Sequence, residues 1–233
     1  MTAALDLTGD LRAADLRGAS LEHVSLVGRD LRGADLREAS LRHVALDAAD
    51  LSRARLDGAS LRGGSAVGAD FRDATAVESA WFHVDLSGAD LGGIALDRAL
   101  VHRCELTGAS LAGGRLVETT IARCGLERAD LRDAQLRDAT TLGSTFDDAE
   151  LEGVSAFSTC RELVVHVLAP LARDDVERTL LLGALARERG WCYEEWVPLL
   201  DARPGLLDAV LERLEAFPGS GVPEAIAAAR EAH

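Results

Sequence analysis

Residues 29–61 read RDLRGADLREASLRHVALDAADLSRARLDGASL, and leucine returns at 31, 36, 41, 46, 51, 56 and 61. A period of five is neither the 3.6 of a helix nor the 2 of a strand. The beat starts at Leu11 and keeps its phase through Phe71, Trp81, Leu86, Leu91, Val101, Leu111, Ile121, Leu131 and Phe146 to Leu151. Such self-similarity marks a repeat architecture. Counting from the large residue as i, position i−2 is mostly Ala, i−1 often Asp or Ser, i+1 often Arg, and i+2 often Gly. One large and one small apolar residue in each five suit a narrow interior, with the rest facing water.

Ala14-Asp15-Leu16-Arg17-Gly18 and Ala34-Asp35-Leu36-Arg37-Glu38 carry the pattern A(D/N)LXX. The chain resembles the pentapeptide-repeat family over roughly residues 6–158. The resemblance implies a β-solenoid, a right-handed quadrilateral parallel β-helix in which four repeats close each coil. Thirty i positions from 11 to 156 then make about 7.5 coils, a rod of roughly 36 Å at ~4.8 Å per coil. Stacked coils bury a continuous core that no single repeat could bury. The chain divides into a repeat domain, 1–158, and an α-helical capping or dimerisation region, 159–233.

Several positions depart from the pattern. Ala66 and Ala76 are small for i, with Phe71 and Trp81 nearby to fill the space. Thr141 and Ala156 weaken the core near its end. Arg29 stands at i−2, where a buried unpaired charge is costly, so it is expected to reach solvent, pair with an acid or mark a bulge. Cys104 and Cys124 both stand at position i−2, one coil apart. They are read as buried thiols in a reducing compartment.

After residue 158 the period is lost and helical spacing appears over 161–172, from 174 to Gly190, over 191–200, over 204–217 and over 224–232. Trp191, Tyr193, Trp196, Val197, Leu199 and Leu200 form an apolar-aromatic set suited to a cap or a dimer seam. Family relatives join two rods through such a helical end, so a homodimer through the C-terminal helices is expected.

The chain has a net charge of −14 and contains neither Lys nor Asn. No secretory leader and no eighteen-residue apolar run are visible, so a cytoplasmic location with no membrane partner is expected. With four repeats to the coil, one i−1 column reads Asp10, Asp30, Asp50, Asp70, Asp90, Ser110, Asp130, Glu150. This acidic ladder is the candidate partner-binding surface, although Arg12, Arg32, Arg72 and Arg132 stand at i+1 on the same face. Residues 1–158 hold 26 acids and 17 arginines. An acidic rod is not expected to bind nucleic acid directly by neutralising phosphates.

The resemblance implies another use of that charge. Qnr-type and mycobacterial members of the family mimic DNA, bind type II topoisomerases and protect them from poisons. The expected partner is therefore DNA gyrase or topoisomerase IV, and the expected role is protection or self-resistance. The unbroken register from 9 to 156 has no inserted loop of the kind Qnr-type proteins carry. The alternative is a non-catalytic scaffold or regulatory module for an unrelated partner, using the mixed positions Phe82, Leu100, His102, Val117 and Leu142. No nucleophile elbow, P-loop, dinucleotide fingerprint or zinc-protease helix is present, so an enzyme is not expected and no cofactor is implied. His23, His43 and His83 share a column without a third metal ligand.

Overall fold

The computed structural model describes residues 7, 9–157, 159–169, 205–217 and 219–231. Six strands, β1 (Ser20–Glu22), β2 (Ser40–Ala45), β3 (Ser60–Ser65), β4 (Ala80–Phe82), β5 (Leu100–His102) and β6 (Thr120–Ala122), form one parallel sheet in chain order. Each pairs with the strand one coil on, Ser20 beside Ser40 and so through to Leu100 beside Thr120, which makes five turns of a parallel β-solenoid between β1 and β6. Parallel bridges repeat that register in three further columns, from Asp30 to Glu150, Asp15 to Ser155 and Ser25 to Thr145. We number the faces 1 to 4 by the columns that contain Asp30, Asp15, Ser20 and Ser25.

The backbone explains the period. The N–H groups of i and i+2 donate to the next coil, as Leu16 does to Asp35 O and Gly18 to Arg37 O, both at 2.8 Å. The N–H of i−1 donates to the preceding coil, Asp35 to Ala14 O at 2.9 Å, and that of i−2 closes the corner, Ala19 to Leu16 O at 3.0 Å. The corner places i+2 in the left-handed region, at φ 50° in Ala13 and 61° in Gly18. That conformation costs most side chains about 1–2 kcal/mol, which favours glycine. The ladder nevertheless imposes it on Glu38 and Arg53, at φ 60° and 58°. Gly64 is tighter still, because a Cβ there would lie 2.3 Å from Val44 O.

Inside, the leucines at i are buried, and so are the alanines at i−2 except Ala14, Ala19 and Ala149 near the ends, which are partly buried. In one coil the sizes alternate: Ala66 and Ala76 are completely buried, and Phe71 and Trp81 meet edge-on between them at 5.6 Å. The Trp81 Nε1–H donates to Ser79 Oγ at 2.7 Å, and the Ser79 hydroxyl donates to Ala76 O at 2.6 Å. Ser79 therefore occupies a normally alanine position because the indole needs an acceptor. The space left among the leucine rows from 86 to 126 is about 10 Å³, barely one water. The interior is a packed core.

The ends use polar groups. Arg29 takes neither the acid nor the bulge: its guanidinium donates to Leu7 O at 3.0 Å and to Gly9 O. It thus satisfies main-chain carbonyls of the first described coil. At the other end the beat stops one repeat early. Ala156 turns left-handed at φ 54° and gives its N–H to Gly219 O at 2.7 Å, while Phe157 fills the core. Ala156 is therefore not an inward residue, which corrects its place among the i positions. Thr141 is buried, and its hydroxyl donates to Glu162 at 3.2 Å.

Glu162 belongs to α1 (Arg161–Leu168), which is followed by α2 (Leu206–Leu214) and α3 (Val222–Glu231). Glu162 also accepts the Gly143 N–H at 3.0 Å, so α1 is pinned to the last coil. Phe157 and Phe217 pack edge-on at 5.9 Å. Pro223 sits in the first turn of α3, where its missing N–H does no harm. The helical spacings read over 174–190 and 191–200 lie outside the described residues. Among the described residues, no helix is long and apolar enough to cross a membrane.

Trp81→Ala is expected to lower stability by about 3–5 kcal/mol through the cavity it opens. Ser79→Ala should cost about 1–3 kcal/mol by stranding the indole N–H. Urea unfolding followed by circular dichroism checks both, and an unchanged midpoint for Ser79→Ala would remove its assigned role.

Candidate protein-binding faces

The coil pattern leaves one backbone donor per repeat, the N–H of i+1. On face 1 it turns to the side chain at i−1. Arg12, Arg32 and Ser52 donate to Asp10, Asp30 and Asp50 at 3.0, 3.2 and 3.0 Å. Arg72, Gly92 and Arg132 donate to Asp70, Asp90 and Asp130 at 2.9, 3.0 and 3.0 Å. These carboxylates are thus part of the backbone accounting. On face 3 the sheet register runs on through i+1, as in Glu22 with Arg42, and the i−1 column carries Ser, Ala, Leu and Thr.

The structure brings all seven ladder residues into one column and gives each an arginine. Arg12 lies 2.7 Å from Asp10 and 3.8 Å from Asp30; Arg32 lies 2.7 Å from Asp30 and 3.6 Å from Asp50. Arg72 spans Asp70 and Asp90 at 2.5 and 3.5 Å, and Arg132 spans Asp130 and Glu150 at 2.7 and 3.1 Å. The Arg12 guanidinium holds the Asp10 carboxyl down at about 2. Arg32, Arg72 and Arg132 lower Asp30, Asp70 and Asp130 in the same way. Face 1 stays acidic, but its charges are forked pairs that alternate along the rod.

Face 4 carries acids without that compensation. Asp47, Asp85, Glu105, Glu127, Asp147 and Asp148 share it with one cation, Arg128. The hydrogen-bond donors to Asp47, Asp85, Glu105 and Glu127 are neutral. Asp47 accepts the Val67 N–H at 3.0 Å and the Ser65 hydroxyl. Asp85 accepts from Ser87 N–H and hydroxyl at 3.0 and 2.6 Å. Thr145 donates to Glu127 at 2.5 Å and holds its carboxyl below the usual range. Sequence reading passed over these residues because they are divided among the i−1, i+1 and i+2 columns. Only the three columns together show the charge.

Of the mixed positions, Phe82, Leu100, His102 and Leu142 fall on face 3, and Val117 on face 2. Leu142 is 59% exposed. His23 and His43 stack in parallel at 5.1 Å, and among the described residues no three metal-binding side chains converge. The Cys104 N–H points to Cys124 Sγ at 3.4 Å, and both thiols are free and buried. Burial pushes the free Cys160 thiol up to about 12. Trp191, Tyr193, Trp196, Val197, Leu199 and Leu200 lie outside the described residues.

Removing one fork tests the pairing. Arg12→Ala is expected to return the Asp10 pKa from about 2 toward the ordinary 3.8, as read by carboxyl-carbon NMR titration. A value that stays near 2 would mean that the backbone N–H, not the guanidinium, sets it.

A family model described as pentapeptide repeats matches in eight copies, over residues 14–53, 39–75 and 85–121. No curated protein matches the chain. Among solved structures, full-length QnrB1, a plasmid-mediated fluoroquinolone resistance protein, is 19% identical at a TM-score of 0.32, over 61% of this chain and 81% of that one. HetL, involved in heterocyst differentiation regulation in Nostoc sp. strain PCC 7120, is 25% identical at 0.20, over 61% and 89%. A thylakoid-lumen protein of Arabidopsis thaliana is 20% identical at 0.23, over 69% and 77%. Scores this low carry no functional argument, and the three neighbours differ in role. The repeat itself, in sequence and in hydrogen bonding, decides the family: the chain is a pentapeptide-repeat protein.

Proposed function

We propose that the chain is a non-catalytic DNA mimic. Its acidic faces 4 and 1 occupy a cationic surface that a type II topoisomerase, DNA gyrase or topoisomerase IV, uses for duplex DNA. The carrying observation is the adjoining pair of acidic faces, on which face 4 sets six acids against the single arginine Arg128. Together they hold 16 acids and six arginines. Seven coil steps from Asp15 to Ser155 span roughly 34 Å at ~4.8 Å each. That is about one net charge per 3.4 Å, near half the density of duplex DNA at one per ~1.7 Å. In this reading the rod is the right-handed form of about 7.5 coils, carried in the cytoplasm. Residues 159–233 close one end and join two copies. Protection or self-resistance against topoisomerase-targeting antibiotics is the expected outcome.

The scaffold reading would use face 3, where Leu142 is exposed. Four arginines on that face make it cationic rather than apolar, which weakens this alternative. A scaffold complex would resist salt, whereas mimicry should weaken steeply with it.

The purified protein is expected to inhibit gyrase supercoiling and to reduce drug-stabilised cleavage. No effect on either over a wide concentration range would end the proposal. Substitution by amides keeps the backbone acceptors and removes charge. Asp85→Asn with Glu105→Gln and Glu127→Gln should weaken inhibition roughly tenfold, at about 0.5 kcal/mol per exposed charge. Asp50→Asn with Asp70→Asn and Asp90→Asn should do less, since arginines already offset those acids. Light scattering of the full chain is expected to give the mass of two copies, and Trp191→Ser with Trp196→Ser should return it toward one.

A further inference from the structure

Face 3 runs against the charge of the chain. Its outward positions hold one acid, Glu22, against Arg42, Arg62, Arg103 and Arg123. It is also the face drawn out into the six-stranded sheet. Planar groups stand on that flat surface. The Arg62 guanidinium lies 4.6 Å from the Phe82 ring centroid, and the His102 ring lies 5.9 Å from Phe82. His83 meets His102 at 6.3 Å, and His23 stacks on His43 at 5.1 Å. The hydroxyls of Ser20, Ser40 and Ser60 lie beside them in the i−1 column.

We propose that face 3 binds single-stranded nucleic acid, with phosphates on the arginines and unpaired bases against the rings. Sheets with outward aromatic and cationic side chains hold unpaired bases in this way. A duplex keeps its bases stacked away from a flat face, which has no element to enter a groove. An acidic polypeptide would use the arginines and leave the rings without a role. A second copy could offer its acidic face 4 to these arginines, but like any acidic polypeptide it would leave the rings without a role.

The net charge of −14 opposes this binding, and distance decides the balance. Face 1 lies opposite, ~10 Å away at the backbone, beyond the screening length of about 8 Å at 0.15 M salt, whereas face 4 adjoins face 3 and its acids bear on that shared edge. Away from that edge, the arginines and rings of face 3 act through their own charges. At 0.01 M the screening length, about 30 Å, spans the rod, and the whole chain repels a polyanion. Affinity should therefore peak near 0.1 M salt. This inference does not rest on the topoisomerase reading.

Fluorescence anisotropy of the full chain with labelled dT20 tests it. Binding in the 10⁻⁴–10⁻⁶ M range is expected at 0.1 M salt, weakening about sevenfold for each further doubling of salt if four phosphates are contacted. Arg42→Gln with Arg62→Gln, or Arg103→Gln with Arg123→Gln, should halve that slope. Phe82→Ser should weaken binding by ~5-fold or more with the slope unchanged. Circular dichroism confirms that each variant is folded. No binding at 0.1 M, equal binding by all variants, or tighter binding of a duplex of the same length than of dT20 overturns the proposal. Arginine-dependent capture of poly-Glu or of a second copy, without capture of dT20, overturns it equally.

Discussion

Every turn of the rod depends on one constraint: each backbone N–H must find an acceptor either one coil away or in its own repeat. Four donors of each repeat meet it through the ladder and the corner. The fifth, at i+1, stands outside that ladder on faces 1, 2 and 4, and at Arg12, Arg37, Ser87 and other positions a side-chain oxygen accepts it. Asp is common at i−1 because its carboxylate reaches forward to that N–H. Where i−1 cannot serve, an acid of the previous coil does, as Asp57 accepts the Val77 N–H at 3.1 Å. The surface charge of the rod is therefore partly a by-product of satisfying its backbone.

That origin changes how the acidic column is read. A carboxylate placed for the backbone is free to recruit a cation, and Arg at i+1 forks onto it and onto the acid of the neighbouring coil. Face 1 becomes a lattice of alternating charge. On face 4 the same requirement is met by Ser, Thr and main-chain donors, which leave the negative charge in place. On face 3 the sheet takes over and the acids are absent beyond Glu22, so arginines and rings are left to define that surface. Three hydrogen-bonding solutions on one backbone produce three electrostatic surfaces.

The ends follow the same rule. A solenoid cut at either end exposes unpaired main-chain groups. At the first coil they are met by the guanidinium of Arg29. At the last they are met by Glu162, together with the Gly219 carbonyl. Arg29 and Thr141 look like faults when only the repeat is considered. Each is a contact that an end requires and an interior coil does not.

The five-residue beat by itself determined the repeat, the coil register and the inward rows, because burial in a narrow interior demands one size pattern at every step. It also placed the seven ladder acids in one column, since register alone decides columns. Tertiary structure decided what those acids do. Sequence shows which residues share a column, but not which donor or cation each carboxylate meets across a coil. The acids of face 4 were overlooked for that reason: they are spread over three positions of the repeat and converge only once the corners fold. Ser79 was equally silent, as an unremarkable small residue until the Trp81 indole comes within 2.7 Å of it. The period is a local property written in every repeat, whereas charge compensation and end closure are set by contacts between residues a coil or more apart.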